Sequence, residues 1–171
     1  EKTKAALGMI ENIDGNVGKI IKTLKEIGKY EDTIIIFLSD NGPNGNRWNN
    51  ELKERKGSTN EGGVRVPFFI QWPNKIKPGI KIKQVTSALD VFPTLTDLIE
   101  SPTAISFDGK SFKKYIENPD LLDNQRKVFS FWNNRLSVRN NKYILDHNDK
   151  LYDLNNDHSQ YYAINEKKVN T

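Results

Sequence analysis

A chain of 171 residues with a net charge of +4 is long enough for one domain, or a domain with a small appendage, that buries roughly 70% of its unfolded surface. The absence of Cys excludes disulfides, thiolate metal sites and a Cys nucleophile, and leaves the redox compartment unread. No run approaches the roughly 20 apolar residues of a membrane span, and the 26 basic residues, 20 of them Lys, are scattered among 22 acids as on a solvated surface, not gathered as for nucleic acid.

The first element is an amphipathic helix. Met9, Ile10, Ile13, Val17, Ile20, Ile21, Leu24 and Ile27 recur every three or four residues and form one apolar stripe, predicted to pack on a sheet, and Gly28 is placed to cap its end. The start of the chain is already helical in pattern and has no signal-peptide core, so the chain reads as one that begins partway through a protein. Ile34 to Leu38 is too continuously apolar for a half-wet strand and too short for a helix, which predicts a strand buried on both faces of a parallel sheet. Ser39-Asp40-Asn41-Gly42 ends it. These residues are either a plain turn or, because ligands of open α/β sheets gather beyond the carboxyl ends of strands, a site.

Residues 43–63 are polar, without periodicity, and too long for a simple connector, so they form a functional loop or a disordered one. Within it Arg47, Trp48 and Asn49 are placed to reach a substrate, with Trp48 equally readable as a packing residue. Lys56 is a candidate cation for an anionic ester, Gly62-Gly63 allow a tight turn, and Glu61 with Arg65 reads as a structural ion pair. Val66 to Trp72 is a second buried strand. Ser87 to Glu100 is a helix opened by a Ser87–Asp90 capping box with Pro93 in its first turn. Residues 101–125 are a linker candidate with one short helix near Phe112 to Ile116. From Arg126 the period becomes two: residues 127–132, 136–139, 142–147 and 150–154 are short strands, with Asn140-Asn141 and Asn148-Asp149 as hairpin turns. His147 and His158 stand singly, without partners at ligand spacing, and are read as neither metal nor catalytic groups.

The order of these segments carries a resemblance. Ser39-Asp40-Asn41-Gly42 closing a strand, a variable loop, then Lys56-Gly57-Ser58-Thr59-Asn60-Glu61-Gly62-Gly63-Val64-Arg65-Val66-Pro67 entering the next strand resembles the sulfatases of the alkaline-phosphatase superfamily. Met9 to Asp14 with Val17-Gly18 upstream, and Asp90-Val91-Phe92-Pro93-Thr94-Leu95, Asp108-Gly109-Lys110-Ser111 and Leu151-Tyr152-Asp153-Leu154 downstream, extend the resemblance over nearly the whole chain. The family's nucleophile, a formylglycine made from Cys or Ser in a C/S-x-P-x-R motif, belongs to an N-terminal half with no counterpart here.

The resemblance implies an α/β fold: residues 1–125 as the C-terminal part of a mostly parallel sheet with flanking helices, and residues 126–171 as a small antiparallel β subdomain. It implies Asp40 and Asn41 as ligands of Ca²⁺, or Mg²⁺, and Lys56 as the catalytic, substrate-binding cation on the sulfate. The partners it implies are a sulfated small molecule or sulfated glycan and the missing N-terminal half, with no nucleic acid and no membrane span, in a periplasmic or secreted protein. The chain alone is expected to be inactive. A phosphodiesterase or phosphonate hydrolase of the same superfamily, and a non-catalytic scaffold fragment, are the alternatives.

Overall fold

The computed structural model describes residues 2–101 and 103–164. They divide into two compact units, residues 2–40 with 66–79, and residues 41–65 with 80–101 and 103–164.

The first unit holds helix α1 (Lys2–Glu26) and strands β1 (Ile35–Leu38) and β2 (Phe68–Gln71). Gly28 ends α1 in the left-handed region at φ 66°, and the N–H groups of Lys29 and Tyr30 both return to the Leu24 carbonyl at 2.8 and 3.1 Å, capping a carbonyl of the last turn. β1 and β2 pair antiparallel, from Ile35 opposite Gln71 to Leu38 opposite Phe68. This corrects the expected parallel arrangement of these two segments. An apolar run specifies burial but not direction, and the two strands meet as neighbours running opposite ways. Phe37 and Phe69 face each other with ring centroids 6.3 Å apart.

Burial is also less than the sequence predicts. Phe37 and Leu38 are exposed, Phe69 is 64% exposed, and Met9, Ile10, Ile13, Ile20 and Ile27 of the α1 stripe lie open. Continuous apolar faces need a covering surface, and the described residues do not supply one. A two-stranded ribbon is also marginal by itself.

The second unit contains α2 (Glu61–Val64), α3 (Val91–Leu98), α4 (Lys113–Glu117) and strands β3 (Val128–Trp132), β4 (Arg135–Arg139), β5 (Tyr143–Leu145) and β6 (Leu151–Asp153). The strands form an antiparallel meander in the order β3-β4-β5-β6, matching the change to period two. Asn133 and Asn134, at φ 47° and 59°, make the two-residue loop between β3 and β4. At the next turn Asn140 works through its side chain instead, accepting from the N–H of Lys142 and Tyr143 at 2.8 and 2.7 Å. Ile144, Tyr152 and Ala163 form a core cluster with Leu154 against it.

Residues 101–125 are no linker. Phe112, Tyr115 and Ile116 are buried, and the Phe112 N–H donates to the Thr94 hydroxyl at 2.9 Å. The predicted capping box is present: Leu89 N–H donates to Ser87 Oγ and Ser87 N–H to Asp90 Oδ2, after which Asp90 starts α3. Asp90 goes further than a cap. It is buried, accepts from the Lys110 N–H at 2.7 Å, and takes both carboxylate bonds from Arg126 at 2.6 and 2.8 Å.

Candidate functional site

The loop from Asn41 to Gly63 is closed by its own backbone. Gly42 N–H donates to Gly63 O at 2.8 Å, and Lys56 N–H donates to Pro43 O at 3.2 Å, so the backbone of Lys56 lies beside a residue two positions from Asn41. Between these closures Asn50, Glu51 and Glu54 hold φ values of 62°, 59° and 63°, each a cost for a residue with a Cβ. The Asn49 amide meets part of that cost by donating to the carbonyls of Leu52 and Glu54, both at 3.0 Å. The Glu54 carboxylate accepts from Ser58 Oγ and, at 2.9 Å, from the Asn60 amide. The loop is therefore the ordered one of the two forms its length allows.

Gly62 and Gly63 are required by proximity. A Cβ on Gly62 would stand 2.2 Å from the Glu54 carbonyl oxygen, and one on Gly63 would stand 2.3 Å from that of Ser58. Thr59, Asn60 and Glu61 are almost completely buried. Ser137 on β4 donates to the Thr59 carbonyl at 2.7 Å, Gln160 accepts from Glu61 N–H at 2.8 Å, and its amide donates to Asn60 Oδ1 at 3.1 Å. The predicted Glu61–Arg65 pair is present at 3.5 Å, but Glu61 has a closer partner in Arg139, at 2.5 Å. Sequence reasoning missed Arg139 and Gln160, which are far away along the chain and leave no local signal.

A second brace lies under the loop. Lys53 Nζ donates to Tyr152 Oη at 2.8 Å and to Asp146 Oδ2 at 3.2 Å. Burial pulls the Asp146 carboxyl upward, but N–H donors from Asn148 and Lys150 together with Lys53 outweigh it and hold the group below the ordinary Asp range. Burial pulls Lys53 downward, and its bonds to Tyr152 and Asp146 more than reverse that, so the ammonium titrates above the usual Lys range. Burial likewise opposes Glu54 ionising, yet Ser58 and Asn60 hold its carboxyl low.

The predicted site residues fall as follows. Asp40 is exposed and is the second residue beyond β1 in the first unit; Asn41, half-buried, opens the second. Lys56 is exposed and lines a cleft of about 720 Å³ bounded by residues 45–49, 52, 54–58 and Arg135. Trp48 is 84% exposed at that cleft, so it is not part of the core formed by the described residues.

The family model described as Sulfatase matches residues 1–101, and a second, N-sulphoglucosamine sulphohydrolase, C-terminal, matches residues 55–170. The chain belongs to the sulfatase family. It is 34% identical over 173 residues to an arylsulfatase of Clostridium perfringens, covering 96% of this chain and 34% of that protein. With a steryl-sulfatase of Rattus norvegicus it is 37% identical over 141 residues, 75% of this chain and 24% of the relative. Among solved structures, Ps i-CgsB superposes with a TM-score of 0.81 at 27% identity, covering 94% of this chain and 38% of that one. The chain thus shares the fold of part of that structure and spans about a quarter to two fifths of the length of these relatives.

Proposed function

We propose that the full protein is a sulfuric ester hydrolase to which this chain contributes part of the divalent-metal and sulfate site. The observation that supports the reading, in a family member, is an exposed ammonium, Lys56, on an ordered loop that lines a cleft, its backbone bonded to Pro43, two residues beyond Asn41. In that position Lys56 offsets negative charge developing on the transferring sulfate.

Asp40 and Asn41 are the metal ligands this chain offers. A carboxylate and a carboxamide are hard oxygen donors, which suits Ca²⁺, or Mg²⁺, over softer metals. The set is incomplete: no group of three or more His, Cys, Asp or Glu stands together among the described residues, whereas Ca²⁺ takes about six to eight oxygens. The remaining ligands and the formylglycine nucleophile belong to the N-terminal half, and the isolated chain is inactive. When bound, the cation supplies the Lewis acidity that polarises and orients a sulfate oxygen. The apolar faces of α1 and the β1–β2 ribbon are where that half is seated, residues 1–125 completing the α/β domain and 126–171 serving as its antiparallel subdomain. The substrate is a sulfated small molecule or glycan, met in the periplasm or outside the cell.

Hydrolysis of an aryl sulfate and an aryl phosphate by the full-length protein tests the reading. Sulfate release that stops on chelation and returns with Ca²⁺ is expected, with Asp40→Ala raising the half-maximal Ca²⁺ concentration at least about tenfold. Preferential cleavage of the phosphate, or an Asp40→Ala protein with unchanged Ca²⁺ demand, would contradict it.

A further inference from the structure

The chain contains 20 Lys and only six Arg, and the six are not spread evenly. Arg65 and Arg139 pair with Glu61, and Arg126 pairs with Asp90. The other three, Arg47, Arg55 and Arg135, all line the cleft that holds Lys56. Arginine differs from lysine in presenting a rigid fork of donors that grips sulfate or carboxylate in two places.

The charge in this cleft exceeds what one sulfate ester needs. Such an ester carries a single negative charge, which Lys56 matches. Arg47 and Arg135 have no acidic partner among the described residues, and Arg55 bonds a neutral amide oxygen, that of Asn46. The one acid among the described residues that line the cleft, Glu54, is turned to Ser58 and Asn60. At the same cleft stands Trp48, an unpacked indole. An aromatic face takes the apolar C–H face of a sugar ring while flanking cations take its anionic groups. The left-handed residues of the loop and the Asn49 clamp fix the backbone of the walls in advance, so the ordering that opposes binding is that of the side chains alone.

We infer that this cleft is a subsite for a multiply anionic saccharide, in which Arg47, Arg55 and Arg135 bind sulfate or carboxylate groups other than the one presented to Lys56 and Trp48 stacks on a ring. Single-stranded nucleic acid fits less well, since it is held by successive aromatic platforms along a basic groove, and Trp48 is the sole aromatic among the described residues that line the cleft. The inference rests on the sulfatase reading only for the sulfate at Lys56; its test reads binding and not turnover.

Calorimetric titration of the full-length protein, its proposed formylglycine position replaced by Ala so that ligand is not consumed, would compare disulfated, monosulfated and unsulfated forms of one glucosamine-containing disaccharide, with oligo-dT as a competitor class. The disulfated form should bind about tenfold more tightly than the monosulfated form, with affinity falling as salt rises. Arg47→Ala and Arg135→Ala should each remove most of that preference, and Trp48→Ala should weaken all three saccharides by about five- to tenfold. These positions are exposed, so melting temperatures should stay at the wild-type value. Equal affinity for the mono- and disulfated forms, an unchanged ratio in both arginine variants, or oligo-dT binding as tightly as the disulfated saccharide would overturn the inference. Absence of sulfate ester turnover with the binding ratio intact would instead count against the sulfatase reading alone.

Discussion

Arg139 reaches to 2.5 Å from Glu61, a carboxylate with no exposed surface, and so ties the segment that follows Lys56 to β4 of the antiparallel sheet. Removing Arg139 leaves the buried Glu61 only the longer contact with exposed Arg65, a loss of up to about 3–5 kcal/mol and more than the pair contributes over an apolar replacement. Arg139→Met should therefore lower the melting temperature substantially, by about 2–4 °C for each kcal/mol in a protein of this size. Adding Glu61→Gln should restore part of the loss. A single variant that melts with the wild type would show that Glu61 is held by other groups.

Stability should depend on pH through the Lys53–Asp146 brace and Glu54. Asp146 and Glu54 have folded-state pKa values below their unfolded ones. Their stabilising contribution is complete above the unfolded carboxylate range, near pH 4, and is lost as pH falls through the lowered folded values. Lys53 is raised, so its contribution is complete below the unfolded Lys value, near 10.4, and disappears as pH rises through the folded one. Denaturant titrations should give a plateau between these limits, and Asp146→Asn should flatten the acid side. An acid limb of the same slope in Asp146→Asn would contradict the assignment.

Gly62→Ala inserts a methyl group 2.2 Å from the Glu54 carbonyl oxygen, with the Lys53 carbonyl at 2.5 Å. Backbone cannot yield as a flexible side chain does, so the loop must open. Stability should fall by about 1–3 kcal/mol or more, and amides of residues 49–63 should exchange hydrogen faster. Wild-type exchange across the loop would refute the close approach.

The C-terminal sheet was legible because its strands alternate at period two between Asn-rich turns; β3 to β6 lie within the predicted segments, apart from shifts of one or two residues at their ends. The Asn133-Asn134 turn carries the same signal as the two turns recognised, and was hidden because Trp132 and Leu136 left so short a gap. The Ser87–Asp90 box was readable from its spacing alone. What escaped were partnerships across the fold: Arg139 with Glu61 spans 78 residues and Gln160 with Glu61 spans 99, and neither residue differs locally from a surface side chain. The direction of β1 against β2 escaped for another reason, since apolar continuity is the same in parallel and antiparallel strands. The short helix near Phe112 to Ile116 is present as α4, but the burial of Phe112, Tyr115 and Ile116 was not legible, because one helical turn gives too few residues for a period. For the site, residue types and order pointed to Asp40, Asn41 and Lys56, whereas the cleft required the folded loop that brings Arg47, Arg55 and Arg135 to one wall.

The central claim is that this chain supplies the sulfate-contacting lysine, and kcat/KM for an aryl sulfate in full-length Lys56→Ala tests it most directly. A preorganised donor aimed at developing charge is worth about 10²–10³ in rate, so the variant should lose about that factor, with Lys56→Arg retaining more activity than Lys56→Ala and with the melting temperature unchanged because the side chain is exposed. A Lys56→Ala protein whose kcat/KM stays within about twofold of the wild type, well short of that factor, would contradict the account.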